Sequence, residues 1–303
     1  MGKFYREYSD FLADHFSGKM QKLTIDAGFS CPNRDGTVGR SGCVYCNNAS
    51  FSPLASKGGG HMSVGEQLEA GKRFFEHKYP LMRYLAYFQS FTGTHADPER
   101  LMVLYREALS VEKVDGLIIG TRPDSVPSPL LDSLASLGAP VMMEYGAESA
   151  HNSTLTAINR CHTWEDTVDA VSRTHARSLP VGLHLIMGLP GESRQMMMET
   201  VRRVADLPID TLKLHQLQVI DHTPLADMWR RGVADVTLFE VEEYVELCAE
   251  VVELLRQLAP HIALERFTSQ APAGLLLAPR WGLKNYQFVN LLHRRLSRAS
   301  APT

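Results

Sequence analysis

Apolar and polar positions change period repeatedly along the chain, and the changes mark out its elements. Residues 3–14 place Phe4, Tyr8, Phe11 and Leu12 on one helical face. From Lys22 to Ser30, Leu23 and Ile25 alternate with Thr24 and Asp26, which predicts a strand. Val64 to His77 reads as an amphipathic helix, and Arg83 to Phe91 as a strand running into Thr92 and Gly93. Asp97 is a natural N-cap, with Pro98 in the first helical position, so a helix runs on through Leu109. Val114–Thr121 is apolar and strand-like, and Ser128–Gly138 is a short helix closed by its glycine. Pro140–Ser149 is the next strand. Thr163–Ser178 is helical, Val181–Glu192 is a strand entering a Gly-Pro turn, Arg194–Ala205 is helical, and Thr211–Ile220 is a strand.

Strand and helix thus alternate about six times, the signature of parallel βαβ units. Right-handed crossovers wind such units into a barrel or a doubly wound sheet. In a barrel the loops after the strands form the reactive face. Cys31, Gln89, Thr121, Glu148 and Gly188 all fall at or just past the ends of predicted strands. Beyond residue 225 the pattern changes. Leu238–Leu258 reads as one long acidic helix and His261–Phe267 as a short strand. Ala273–Pro279, a turn at Trp281 and a helix over Lys284–Ser297 follow. The expected division is residues 1–225 as a core domain and 226–303 as a small C-terminal α/β extension.

The chemistry concentrates in the first loop, CPNRDGTVGRSGCVYC. It carries Cys31, Cys43 and Cys46 at C-x11-C-x2-C spacing, in Gly, Asn, Asp and Pro surroundings that make it a loop. A structural zinc site takes four protein ligands, and so does an ordinary iron–sulfur cluster. Three thiolates on one loop leave a metal position open for a small molecule. The alternatives are a zinc knuckle completed by a histidine such as His61, or three unrelated cysteines, which the tight pair Cys43 and Cys46 disfavours.

Composition narrows the class further. The chain has 303 residues and is 44% hydrophobic, enough for one large α/β domain with a substantial core. The N-terminal residues lack a signal-peptide apolar region, and no run approaches the ~18 apolar residues of a membrane span. Five cysteines, an odd and clustered set, argue against a secreted disulfide framework. A cytoplasmic location and no membrane partner are expected. Residues 51–60 are rich in Ser, Gly and Pro and read as loop. The net charge is −3, yet residues 261–303 hold six Arg or Lys against Glu265 alone, a net of +5, which leaves −8 on the remainder. A basic end on an acidic body can mark a polyanion contact or simply a solvated helix face.

Several strand-end motifs agree on one resemblance. Tyr45 stands just before the last cysteine, as in cluster loops of the radical S-adenosylmethionine (SAM) superfamily. GTRPD (Gly120–Asp124) resembles the ETRPD motif of the radical SAM domain in the elongator catalytic subunit. GAESAHNSTLTAINRCHT (Gly146–Thr163) resembles that group's GVQS…L…INRGHT, and HLIMGLPGE (His184–Glu192) matches the GLPGE turn common in the superfamily. KLHQLQVIDHTPL (Lys213–Leu225) and LLLAPRWGLKN (Leu275–Asn285) look like YhcC-like radical SAM proteins. The resemblance spans nearly the whole chain. It departs from the pattern at Cys161, where a glycine is expected, and at Glu148, where a glutamine is.

The resemblance implies a partial (β/α)6 TIM-like barrel. Cys31, Cys43 and Cys46 would ligate a [4Fe-4S] cluster, whose fourth iron would chelate the amino and carboxylate groups of SAM. An external one-electron donor of flavodoxin or ferredoxin type would reduce the cluster, and a 5′-deoxyadenosyl radical would abstract a hydrogen from the substrate. Tyr45 would pack near the adenine. Gln89 and Ser90 would hold the methionine amino group, and Glu148 the ribose hydroxyls. Arg160 would pair with the SAM carboxylate, and Ile186 would present backbone to adenine. Asp124, beside Arg122, faces the pocket or fixes its loop by a local ion pair. His184, His215 and His222 rank below the cysteines, because a strand histidine is more often a core residue. Cys161 and Cys248 are read as small buried hydrophobes. The elongator enzyme's acetyltransferase activity is not expected, for lack of room. Three functions stay open: a radical SAM enzyme acting on RNA, one acting on a small metabolite, and a zinc-stabilised nucleic-acid-binding module.

Overall fold

The structure, a computed structural model, describes residues 3–50 and 62–299. Residues 51–60, read above as loop, and His61 lie outside the described residues. One sheet dominates. Its strands are β1 (Met20–Ile25), β2 (Arg83–Phe88), β3 (Val114–Thr121), β4 (Val141–Glu148), β5 (Val181–Met187), β6 (Thr211–Gln216) and β8 (Ala263–Arg266), in the order β1-β2-β3-β4-β5-β6-β8. Every neighbouring pair is parallel. Helices α3 (Val64–Glu76), α4 (Pro98–Ser110), α5 (Ser128–Ala135), α7 (Trp164–His175), α8 (Arg194–Ala205) and α10 (Val241–Leu258) make the crossovers. Sequential order with helical crossovers curls the sheet into a half-barrel, with the helices outside.

Local chemistry sets the helix starts. Asp97 accepts from the amides of Glu99 and Arg100, and Ser63 and Thr163 each form a capping box. The outer sheet face buries Leu23, Ile25, Ala86, Phe88, Leu117, Met143, Leu183 and Leu212 against the helices. The inner face carries a second apolar cluster of Phe11, Leu85, Tyr87, Ile118, Met142 and Ala263. Helix α1 (Tyr8–His15) contributes Phe11, with Tyr8 and Leu12 packed alongside, and so plugs the half-barrel at the strands' N-terminal end.

Several boundaries differ from the sequence reading. Helix α1 starts at Tyr8, not residue 3, because the Glu7 and Asp10 side chains form a capping box there. Strand β1 ends at Ile25, ahead of a turn at Gly28 with φ +69°. The single strand expected over 211–220 is two: β7 (Val219–Ile220) leaves the main sheet and pairs antiparallel with β9 (Leu276–Ala278). Short helices α2 (Pro32–Asp35), α6 (Asn152–Ala157) and α9 (Pro224–Arg230) were not foreseen. The main addition is β8. It was assigned to the extension, yet it pairs with β6 through Thr211↔Ala263 and Leu212↔Leu264 and becomes the seventh strand. It covers the edge that β6 would otherwise present. Helix α11 (Asn285–Ala299) then packs on α10. No helix among the described residues is long and apolar enough to cross a membrane.

Candidate cluster and cofactor site

The cysteine loop leaves the C-terminal end of β1. Cys31 precedes the single turn of α2, with Pro32 at its first position, and Gly36 ends that turn at φ +96°. Gly39 is a close approach: a Cβ there would lie 2.1 Å from Asn33 Oδ1. Cys46 N donates to Cys43 O at 3.0 Å, closing a tight turn. Cys43 is buried, while Cys31 and Cys46 are half-buried.

Two other segments grip this loop. The first follows α6: Val44 N donates to Ile158 O at 3.0 Å, Asn33 Nδ2 to Asn159 O at 2.6 Å, and Asn159 Nδ2 to Gly42 O at 2.8 Å. The second leads into α9, where Leu225 N donates to Val44 O and Asn47 Nδ2 to Asp221 O, both at 2.9 Å. The loop after β2 also reaches it, through Phe91 N donating to Asn48 Oδ1 at 3.1 Å. That loop carries half-buried Gln89 and buried Ser90.

Cys31, Cys43 and Cys46 supply three thiols from one loop, the donor type a four-iron cluster takes. Among the described residues no three His, Cys, Asp or Glu side chains converge closely enough to hold a single metal ion. Guanidinium groups of Arg34 and Arg160 lie within electrostatic reach of the sulfurs, though burial outweighs that attraction at Cys46. Burial, and then the Cys43 thiol, push the Cys46 thiol up to about 11.

Arg160 and Glu148 form the next layer. Arg160 donates from Nη2 to Gly146 O at 2.6 Å and lies 3.4 Å from Glu148 Oε1. Its Nε donates to His162 Nε2 at 2.9 Å, and its Nη1 faces Cys43 Sγ at 3.6 Å. A Cβ on Gly146 would lie 2.6 Å from both Arg160 Nη2 and Glu148 Oε1, so a side chain there would displace this pair. Burial, and then the Arg160 charge, hold His162 down to about 3, so it is the neutral acceptor of that bond. Tyr45 lies in the electrostatic field of Glu148, Cys43 and Arg160, and burial pushes its hydroxyl well above the usual range. Ile186 on β5 packs with Val44 and Tyr45 around Leu155 and Leu189.

Arg122 and Asp124 form the local ion pair considered above, a bidentate contact at 2.9 and 2.7 Å. Asp124 also lines a cleft of about 360 Å³ with Pro32, Thr94 and His95. The structure therefore joins Cys43, Arg160 and Glu148 by direct contacts, with Tyr45 in their electrostatic field and Cys31 and Cys46 on the same loop. Gln89 and Ser90 approach it through the β2 loop, and Asp124 feels Arg160 and His162 only through space. Cys161 is exposed rather than buried, and its thiol donates to Asn33 Oδ1 at 3.2 Å. His222 is exposed past β7.

A charged layer inside the half-barrel was missed. Lys22 Nζ lies 2.8 Å from Glu144 Oε1 and 2.7 Å from Glu265 Oε1. Lys213 Nζ lies 2.6 Å from Glu144 Oε2 and 3.2 Å from Glu265 Oε1. Burial works against ionised Glu144, but Lys213 and then Lys22 overcome it and hold the carboxylate well below its usual range. His184 Nε2 meets Glu144 at 3.1 Å, and His215 Nδ1 meets Ser269 Oγ at 2.6 Å. The signal was partial: Glu144 interrupts an otherwise apolar run in β4, whereas Lys22 and Lys213 stand in strands of mixed polarity.

Comparison with known proteins shows the family. The family model described as "Radical SAM superfamily" matches residues 33–204, more than half of the chain. The chain belongs to the radical SAM superfamily. The model of the radical SAM C-terminal domain matches residues 209–298. Protein YhcC of Escherichia coli (strain K12) is 37% identical over 282 residues, covering 92% of this chain and 88% of that protein. A tRNA uridine(34) acetyltransferase of Methanocaldococcus infernus is 28% identical over 186 residues, covering 60% of this chain and 33% of that protein. Among solved structures, the archaeal Methanocaldococcus infernus Elp3 with an N-terminal deletion superposes with a TM-score of 0.67. It is 18% identical and is covered over 95% of this chain and 65% of its own, a likeness of fold. This radical SAM enzyme is thus a YhcC-like member, related to the radical domain of Elp3-type proteins. Its β4-to-β5 connection supplies the segment that grips the cysteine loop.

Proposed function

We propose that Cys31, Cys43 and Cys46 hold a [4Fe-4S] cluster, and that Gln89, Ser90, Asp124, Glu148, Arg160, Ile186 and Tyr45 line the SAM site beside it. When bound, cluster and SAM supply a one-electron reductive cleavage whose 5′-deoxyadenosyl radical abstracts hydrogen from the substrate. The observation that carries this reading is the network joining the cysteine loop to the end of β4. There Arg160 contacts both Cys43 and Glu148. In this chain Glu148 offers carboxylate oxygens to hydroxyl donors, and Arg160 holds it in place. Tyr45 excludes water from that side. The electron comes from an external flavodoxin- or ferredoxin-type donor, and the reaction is assigned to the cytoplasm.

RNA is the substrate class this reading favours. The support is the tRNA-acting relative, together with exposed Arg280, Lys284 and Tyr286 along the C-terminal segment. The interior layer of Lys22, Glu144, Lys213 and Glu265 favours a second reading, a small polar metabolite held inside the half-barrel. The deciding experiment on the cofactor is anaerobic reconstitution. The protein is expected to bind about four irons per chain. Changing Cys31, Cys43 or Cys46 to Ala should abolish uptake, whereas Cys161→Ala and Cys248→Ala should keep it. Stoichiometric zinc, with no charge-transfer absorption, would overturn the assignment.

A further inference from the structure

The geometry points to Asn33 and Arg160 as the residues that set the reduction potential of the cluster, by placing two donors on one ligand sulfur. The inference rests on the cluster proposed above. Asn33 Nδ2 lies 3.7 Å from Cys43 Sγ, and Arg160 Nη1 lies 3.6 Å from it. Cys43 is 5% exposed, Asn33 0% and Arg160 8%, so no water competes for the sulfur from their side. The two donors come from separate parts of the chain, Asn33 from α2 and Arg160 from the segment after α6.

Both side chains are locked in these orientations. The Asn33 oxygen accepts from the Cys161 thiol at 3.2 Å, and its nitrogen donates to Asn159 O at 2.6 Å. Flipping the amide would set its oxygen against a carbonyl oxygen and a thiolate, so the network assigns nitrogen to the sulfur side. Arg160 is held by Gly146 O, His162 and Glu148, which leaves Nη1 aimed at Cys43. Its charge is always present.

Reduction adds one negative charge to a cluster, and part of that charge resides on the ligand sulfurs. An amide donor and a buried guanidinium on one sulfur stabilise the reduced form more than the oxidised one. They therefore raise the potential, which in such clusters is tuned by hydrogen bonds to sulfur and by exposure. Arg160 thereby acts as a positioning and tuning residue whose effect reaches the electron donor: a higher potential lets a weaker reductant fill the cluster.

The test is an EPR-monitored redox titration of the reconstituted protein, without SAM or substrate. N33L and R160Q should each move the midpoint negative by about a tenfold change in the reduction equilibrium, which is about 59 mV for a one-electron couple. N33D and R160K serve if the first pair takes up too little iron. N33D replaces the donor with a like-charged oxygen and should shift further in the same direction. R160K keeps the cation without the fork and should shift less. N159G is the control: it removes the side-chain bond to Gly42 O, suits the φ of +53°, and leaves both sulfur donors in place. It should titrate like the parent. The inference fails if the variants hold iron and keep the parent midpoint, or if N159G shifts it as far as they do. A parent that takes up no iron would instead overturn the cluster proposal itself.

Discussion

Glu148, Asn159 and Cys161 carry side chains at left-handed backbone angles, φ +65°, +53° and +59°. Each such residue costs about 1–3 kcal/mol unless its surroundings hold it there. All three lie on the face of the half-barrel that bears the cysteine loop, and the pattern this chain resembles has glycine at the position of Cys161. The strain at Glu148 turns its carboxylate onto Arg160 instead of along β4. If that carboxylate receives the SAM ribose, Glu148→Ala and Gln89→Ala should each weaken SAM binding about tenfold or more while iron content holds, as read by equilibrium dialysis. Parent-like binding by both would place SAM elsewhere. His162 offers a stability readout of the same network. Folded, it protonates only near 3; unfolded, near the ordinary 6.5. The unfolded state thus binds the extra proton as pH falls below 6.5, and folding loses as much as ~2 kcal/mol by about pH 5. Glu144 adds to the acid loss only below its ordinary 4.5, because its folded value is lower still. His162→Gln should therefore lessen, not abolish, the fall of the urea midpoint between about pH 6.5 and 4.5, because burial also holds His215 well below its ordinary value and it contributes to the same window.

At the scale of elements, the basic C-terminal segment divides into engaged and free groups. Trp281 stacks on Phe288 at 5.9 Å and donates from Nε1 to Phe239 O at 3.0 Å, so it is packing, not a platform for bases. Arg295 on α11 is paired with Glu246 on α10 at 2.6 Å. Such half-exposed pairs contribute at most about 1 kcal/mol, yet they occupy the guanidinium. Arg294 and Arg298 are exposed and one helical turn apart, on the same face. Tyr286, at the start of α11, is 62% exposed. If RNA binds here, bulk tRNA affinity should fall steeply with salt, and Arg294→Ala with Arg298→Ala should flatten that slope by about two phosphate contacts. Binding indifferent to salt and to these arginines would favour the small-metabolite reading.

The whole molecule is a sheet whose two end strands, β1 and β8, are not paired by a ladder. Several contacts tie that side: the bridge between Glu7 and Leu264, Arg6 on the His261 carbonyl, Tyr5 edge-on to Phe267, and the ion pair of Lys22 with Glu265. Lys22 also reaches across the interior to Glu144. Its side chain is 16% exposed and that of Glu144 is 1% exposed. Removing one member of a buried charge network leaves the others uncompensated, typically at about 3–5 kcal/mol. Lys22→Met should therefore lower the urea unfolding free energy by roughly that amount, and Lys22→Arg should recover part of it. An unchanged midpoint in Lys22→Met would show that Lys213 alone neutralises Glu144 and Glu265.

Much was legible from the chain alone because it is local. Period-two and period-3.6 patterns, the cap at Asp97 and the glycine turns depend on neighbours a few residues away, and they determined the βα order and the parallel sheet. Cysteine spacing and the strand-end motifs determined the superfamily and placed Cys31, Glu148 and Arg160 at strand ends or the loops beyond them. What pairs across distance was not legible. Ala263–Arg266 is too short to announce a sheet partner, so packing alone made it the seventh strand beside β6. Lys22, Glu144, Lys213 and Glu265 are strand charges that make sense only once curling the sheet brings them together. Asn33 and Arg160 meet at Cys43 only because the segment after α6 folds back over the cysteine loop. A sequence records which groups a strand end carries, while the hydrogen bonds among them are chosen by the three-dimensional packing that buries them.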